Sequence, residues 1–170
     1  YSLIYNYTAP TPTPSPTAPP TPTLDHVVYL PVIVRLPVLP PLEKGQTVTF
    51  AGAWHDMPLE AIVQDSEWHS VLYDHSEPLE AEGVFVVALV NVTNDGLRSD
   101  EVGQYTSIRL QDGNGRMFDL AGVDVHQAAE DTYGRRSLYY PIQPGFTLSM
   151  VFVFDVLPDA EGLRLVAVTP

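Results

Sequence analysis

From Gln46 onward, apolar residues come in short runs separated by turn residues, with the alternation of half-buried strands. Thr47–Ala51 alternates, with Val48 and Phe50 inward. Leu59–Val63 and Trp68–Tyr73 read as two further strands around Asp65-Ser66. Gly83–Thr93 (GVFVVALVNVT) is apolar on both parities as far as Val90, which predicts a central strand buried on both faces. Asn94-Asp95-Gly96 turns the chain. Thr106–Leu110 predicts a half-buried strand, and Asp112-Gly113-Asn114-Gly115 a hairpin turn into Arg116–Leu120. His126–Thr132 predicts a single helical turn and Ser137–Ile142 an extended segment. Pro144-Gly145 turns into Thr147–Val156, a second central strand, and Pro158–Gly162 into Leu163–Val168. Seven to nine strands with almost no helix predict an all-β, antiparallel sandwich over residues 43–170.

The first 42 residues follow another pattern. Residues 1–8 (YSLIYNYT) are aromatic and β-prone. Ala9–Thr23 (APTPTPSPTAPPTPT) predicts polyproline II, because proline fixes φ and extends the residue before it. At ~3.1 Å per residue that tract reaches roughly 46 Å, against a radius of gyration near ~14 Å for a compact domain of this size. Residues 1–26 are thus expected to be an extended arm. Thr11, Thr13, Ser15, Thr17, Thr21 and Thr23 are candidate O-glycosylation sites of a surface stalk.

Residues 27–42 carry the most informative alternation. Val28, Leu30, Val32, Val34, Leu36 and Val38 share one parity; Tyr29, Pro31, Ile33, Arg35 and Pro37 share the other. Pro31 and Pro37 remove amide donors from one edge only. Such a strand pairs along its even-numbered donors and is blocked along its other edge. It is an edge strand, either of its own sheet or of a neighbour's.

Composition sharpens this division. Eleven of 17 prolines lie in residues 1–42, where Asp25 and Arg35 cancel; the other 128 residues carry all of the −13 net charge. Seven scattered Arg and the single Lys44 argue against nucleic acid and anionic membranes. No apolar run reaches the ~18 residues of a membrane span. With no cysteine there is no disulfide or thiolate metal site. A start at Tyr1 instead of Met suggests processing, as by removal of a signal sequence, and so an extracellular or cell-surface location.

Chemistry-bearing motifs are sparse. His55, Asp56, Glu67, His69, Asp74 and His75 lie close in sequence, yet none has a metal-site spacing. On one continuous strand His69 and His75 would sit ~20 Å apart, so sharing an ion would need a turn between them. Asp95, Asp100 and Glu101, or Asp112, Asn114 and Asp119, offer loop oxygens for calcium without the EF-hand spacing. Asn6-Tyr7-Thr8 and Asn91-Val92-Thr93 are N-glycosylation sequons. There is no nucleophile elbow and no phosphate loop. The expectation is a protein that is not an enzyme, with no cofactor and no resident metal.

GVFVVALVNVTNDG at 83–96, SIRLQDGNGRMFDL at 107–120 and PGFTLSMVFVFDVLPDAEGLRLV at 144–166 together resemble a bacterial extracellular immunoglobulin-like family of unknown function, often described as telokin-like. The resemblance covers about Gln46 to Val168 and implies an immunoglobulin-like sandwich. It implies no activity, and the family's usual lipoprotein cysteine is absent. The Thr-Pro tract followed by VVYLPVIVR looks like a tail motif of secreted bacterial surface proteins, placed before the domain instead of after it.

Two functions follow as expectations. The first is a structural subunit of an extracellular filament, pilus or surface layer, a homopolymer built by adding the N-terminal segment to a neighbouring copy. The even-numbered stripe from Val28 to Val38 would be buried, worth on the order of 10 kcal/mol before ordering costs. Tyr1, Leu3, Ile4, Tyr5 and Tyr7 would make a second contact. The alternative is a monomeric binding module for a glycan or calcium, tethered by the stalk, with residues 27–39 as its own first strand.

Overall fold

The computed structural model describes residues 41–55, 57–103 and 107–168. Its elements are β1 (Thr47–Ala51), β2 (Pro58–Asp74), β3 (Glu77–Asn94), β4 (Ile108–Gln111), β5 (Met117–Phe118), α1 (Val123–Tyr133), β6 (Thr147–Val156) and β7 (Arg164–Ala167). One sheet has the order β1-β2-β3-β6 and the other β5-β4-β7, every pairing antiparallel. No helix among the described residues is long and apolar enough to cross a membrane.

The two sheets share one core. Val86, Ala88, Val90 and Val92 of β3 and Met150, Phe152, Phe154 and Val156 of β6 meet Ile108, Leu110 and Leu165 of the smaller sheet there. The opposite parity, Phe85, Val87 and Leu89 with Val151 and Val153, packs under Val125, Ala128 and Ala129 of α1. The two-faced apolar pattern of β3 and β6 therefore has a simple cause. One face meets a sheet and the other a helix, as strand alternation requires.

Three local expectations are corrected. The region around Asp65-Ser66 does not separate two strands: β2 runs unbroken through 17 residues. Register shifts at Val63/Asp65 and His69/Val71 absorb the irregularity as bulges. The predicted helical turn is an 11-residue helix, ended by Gly134 in the left-handed conformation (φ 61°). Ser137–Ile142 forms no strand; its surroundings are held by isolated bridges, Arg136 to Met150 and Asp100 to Ile142.

Candidate functional site

Strand edges are where a sheet protein accepts another chain, so each edge's backbone groups need accounting. The outer edge of β6 is closed by the segments flanking α1. Ala121 N–H donates to Val153 O (2.8 Å), Val151 N–H to Arg136 O (2.9 Å) and Arg136 N–H to Ser149 O (3.1 Å). Val153 N–H, on the same edge, reaches His126 Nε2 at 3.1 Å. His126 Nδ1–H in turn donates to Gly122 O at 3.1 Å. The imidazole is buried and neutral. Its burial drives its pKa down to about 4, against opposing backbone hydrogen bonds. β7 is tied at Leu165, whose N–H and C=O both bond the side-chain amide of Gln46.

β2 is different. β1 covers it only from Pro58 to Ile62. The loop before β1 extends that cover by one residue, through Gly45 N–H to Val63 O and Val63 N–H to Gln46 O. Beyond Ser66, no described strand pairs with the outer edge of β2 as far as Asp74. The chain enters the domain at this point. Leu42 is buried in the core, and its N–H donates to Ser66 Oγ at 2.8 Å. Nearby, Trp68 packs against the core with its Nε1 buried and without a hydrogen-bond partner among the described residues. Among the described residues, the eight-residue edge from Glu67 to Asp74 thus has no pairing strand, and it begins beside Leu42.

The interaction residues expected from sequence, Tyr1, Leu3, Ile4, Tyr5, Tyr7, Val28, Leu30, Val32, Val34, Leu36 and Val38, lie outside the described residues. So do the O-glycosylation candidates from Thr11 to Thr23, the Asn6 sequon and Asp56. The second sequon is in β3, where Asn91 Oδ1 accepts from Ser149 Oγ (3.0 Å) and Thr93 meets Thr147 across the ladder.

Neither calcium candidate is assembled. Asp100 is 2% exposed, and both its oxygens are occupied by backbone amides. Oδ1 accepts from Trp54 (2.9 Å) and Glu101 (2.9 Å), Oδ2 from His55 (3.0 Å) and Met57 (3.2 Å). Burial pushes this carboxyl up, but the four amides together outweigh that and hold it below the ordinary value. Asp112 closes its hairpin, bonding Asn114 N–H, Arg116 N–H and Arg116 Nε. Asp119 is paired with Arg109.

The histidines separate. His55 lies on the loop that Asp100 holds. His69 joins Tyr133 and Glu67: His69 Nε2–H donates to Tyr133 Oη (2.7 Å), and Tyr133 O–H to Glu67 Oε2 (2.9 Å). Partial burial, then the Glu67 carboxylate, drive the Tyr133 hydroxyl well above its ordinary pKa. The register shift after His69 exchanges the two faces of β2. Leu72 then shares the α1 side with His69. At the hairpin tip, His75 Nδ1 lies 2.5 Å from Asp74 Oδ1, and Asp131 of α1 joins the pair. Hydrogen bonding to Asp74, followed by the charges of Asp74 and Asp131, raises the His75 pKa. Sequence spacing missed this third member, since Asp131 is more than 50 positions away.

No family model and no curated protein matches this chain. Among solved structures, the crystal structure of a conserved hypothetical protein from Bacillus anthracis is similar at 17% identity and a TM-score of 0.42, covering 66% of this chain and 83% of that one.

Proposed function

We propose that this protein is a structural subunit of an extracellular filament, pilus or surface layer, and that its domain is a telokin-like, immunoglobulin-like sandwich. Residues 27–39 of one copy add as a strand to the open edge of β2 in the next. The observation that supports this reading is that, among the described residues, no strand pairs with the outer edge from Glu67 to Asp74, beside Leu42. An apolar strand with a proline-guarded outer edge matches such an acceptor: its even-numbered amides pair, and Pro31 and Pro37 face away. Exchange of that strand between identical subunits is head-to-tail and does not close on itself, so it propagates. Acidic domains repel one another, which makes a main-chain link valuable for cohesion.

The position of Leu42 favours a second reading. Its N–H already bonds Ser66, so the residues just before it can run along β2 of the same copy. The protein is then a monomeric surface module on a Thr/Pro stalk. Light scattering and electron microscopy of the full chain separate the two. Concentration-dependent oligomers or fibres, lost on deleting residues 1–41, support strand exchange. A monomer at all concentrations overturns it and leaves the tethered module.

A further inference from the structure

We propose that Asp74, His75 and Asp131 form a binding site for a divalent transition metal of the zinc type. Each offers one ligand atom, and the three lie within 4.8 Å of one another. An ion ~2.0–2.2 Å from each ligand requires ligand atoms within about 4 Å, so a small rotation of these side chains closes the site. His75 and Asp131 are exposed, and Asp74 is partly so, which leaves them free to make that adjustment.

Two features of the backbone build the cluster. Neighbouring residues in a strand point to opposite faces, which would keep Asp74 and His75 apart. His75 instead takes φ 46° and Ser76 φ 85°, a turn that brings the imidazole to Asp74. Asp131 then arrives from α1. That residue is unfavourable for the helix by itself, because a carboxylate near the C-terminal end opposes the helix dipole, and α1 has no basic residue in its last turn. A bound cation offsets both the dipole and the facing carboxylates.

The ligand chemistry narrows the ion. One imidazole and two carboxylates suit zinc or its first-row neighbours, whereas calcium takes oxygen ligands only and more of them. Three protein ligands leave a fourth position for water or for a group from another molecule. A metal there would pin the β2–β3 hairpin tip to α1. This inference does not depend on strand exchange and holds for a monomer.

The test is zinc titration of the chelator-treated full chain by calorimetry, with thermal unfolding in parallel. One saturable site is expected, with a rise in unfolding temperature. His75→Gln and Asp131→Asn should each weaken binding about tenfold or more while circular dichroism stays unchanged. His55→Gln and His69→Gln should bind as the parent does. The proposal is overturned if no saturable binding appears below millimolar zinc, if the His55 or His69 variant abolishes it instead, or if calcium binds equally well.

Discussion

Gln46 acts as one residue of a missing strand for Leu165. Its Nε2 donates to Leu165 O at 2.8 Å and its Oε1 accepts from Leu165 N–H at 3.2 Å. A primary amide carries the donor and acceptor of a peptide group, so one side chain satisfies both backbone groups and joins the end of β1 to the other sheet. Gln46→Leu should cost about 1–3 kcal/mol by leaving both groups of Leu165 unpaired. Gln46→Glu should cost at least as much, since a carboxylate faces Leu165 O. Urea denaturation measures both; parent-like stability in both variants would show that water replaces the amide freely.

Asp100 and Gly52 should behave as a unit. A Cβ on residue 52 would lie 2.4 Å from the Asp100 carboxyl, so only glycine fits. Asp100→Ala should cost on the order of 3 kcal/mol or more, because four backbone amides lose a charged acceptor. Gly52→Ala should destabilise the parent but cost much less in the Asp100→Ala background. A double-mutant cycle reads that coupling, and strict additivity would sink it.

Stability should depend on pH through His126. Its folded pKa, about 4, lies below the ordinary 6.5. Between these values the unfolded chain binds the proton and the folded one does not. The contribution is therefore complete above pH 6.5 and declines as pH falls toward 4, by on the order of 3 kcal/mol in all. Denaturation at several pH values, compared with His126→Ala, isolates the histidine. The variant should be less stable at neutral pH and show a flatter profile over that window.

Gly83 should tolerate no side chain. A Cβ there would lie 2.1 Å from Val156 O, a backbone atom that cannot swing aside. The neighbouring amides of Glu82 and Gly83 donate to the Asp155 carboxylate at 2.8 and 3.0 Å, fixing the strands at this point. Gly83→Ala should destabilise by about 2–4 kcal/mol through overpacking. A thermal melt within a degree of the parent would mean that β6 yields more readily than its pairing suggests.

Much of the fold was legible in the residue order. β1, β6 and the Gly83–Thr93 part of β3 follow from the residue pattern, whereas the Glu77–Glu82 start of β3 does not; the Asp112–Gly115 turn and the Asn94 turn follow from local side-chain-to-backbone chemistry. Asn94 Oδ1 accepts from Gly96 N–H at 2.8 Å. Such signals are local, and tertiary contacts reinforce them.

Other features depend on distant partners. The helix follows Gly122, with no capping side chain, and its buried apolar residues are Val125, Ala128 and Ala129, with Tyr133 partly buried at its end. It forms at full length because the outer face of the main sheet is apolar and needs cover. Asp65-Ser66 reads as a turn by composition, but Lys44 bonds Asp65 and Leu42 bonds Ser66, so the strand runs through. Which carboxylates could face a cation was equally hidden. Asp100 and Asp112 are consumed by amides and an arginine from their surroundings, whereas Asp74 and Asp131 converge on His75 across the hairpin and the helix.

The sequence by itself determined the alternation that makes an antiparallel, all-β domain, and the proline parity from which a single pairing edge is expected for residues 27–39, which lie outside the described residues. Only the tertiary structure decided which edges the described residues close. Edge closure depends on backbone groups meeting His126, Gln46 and the flanks of α1 from far along the chain, and no local pattern encodes those distances.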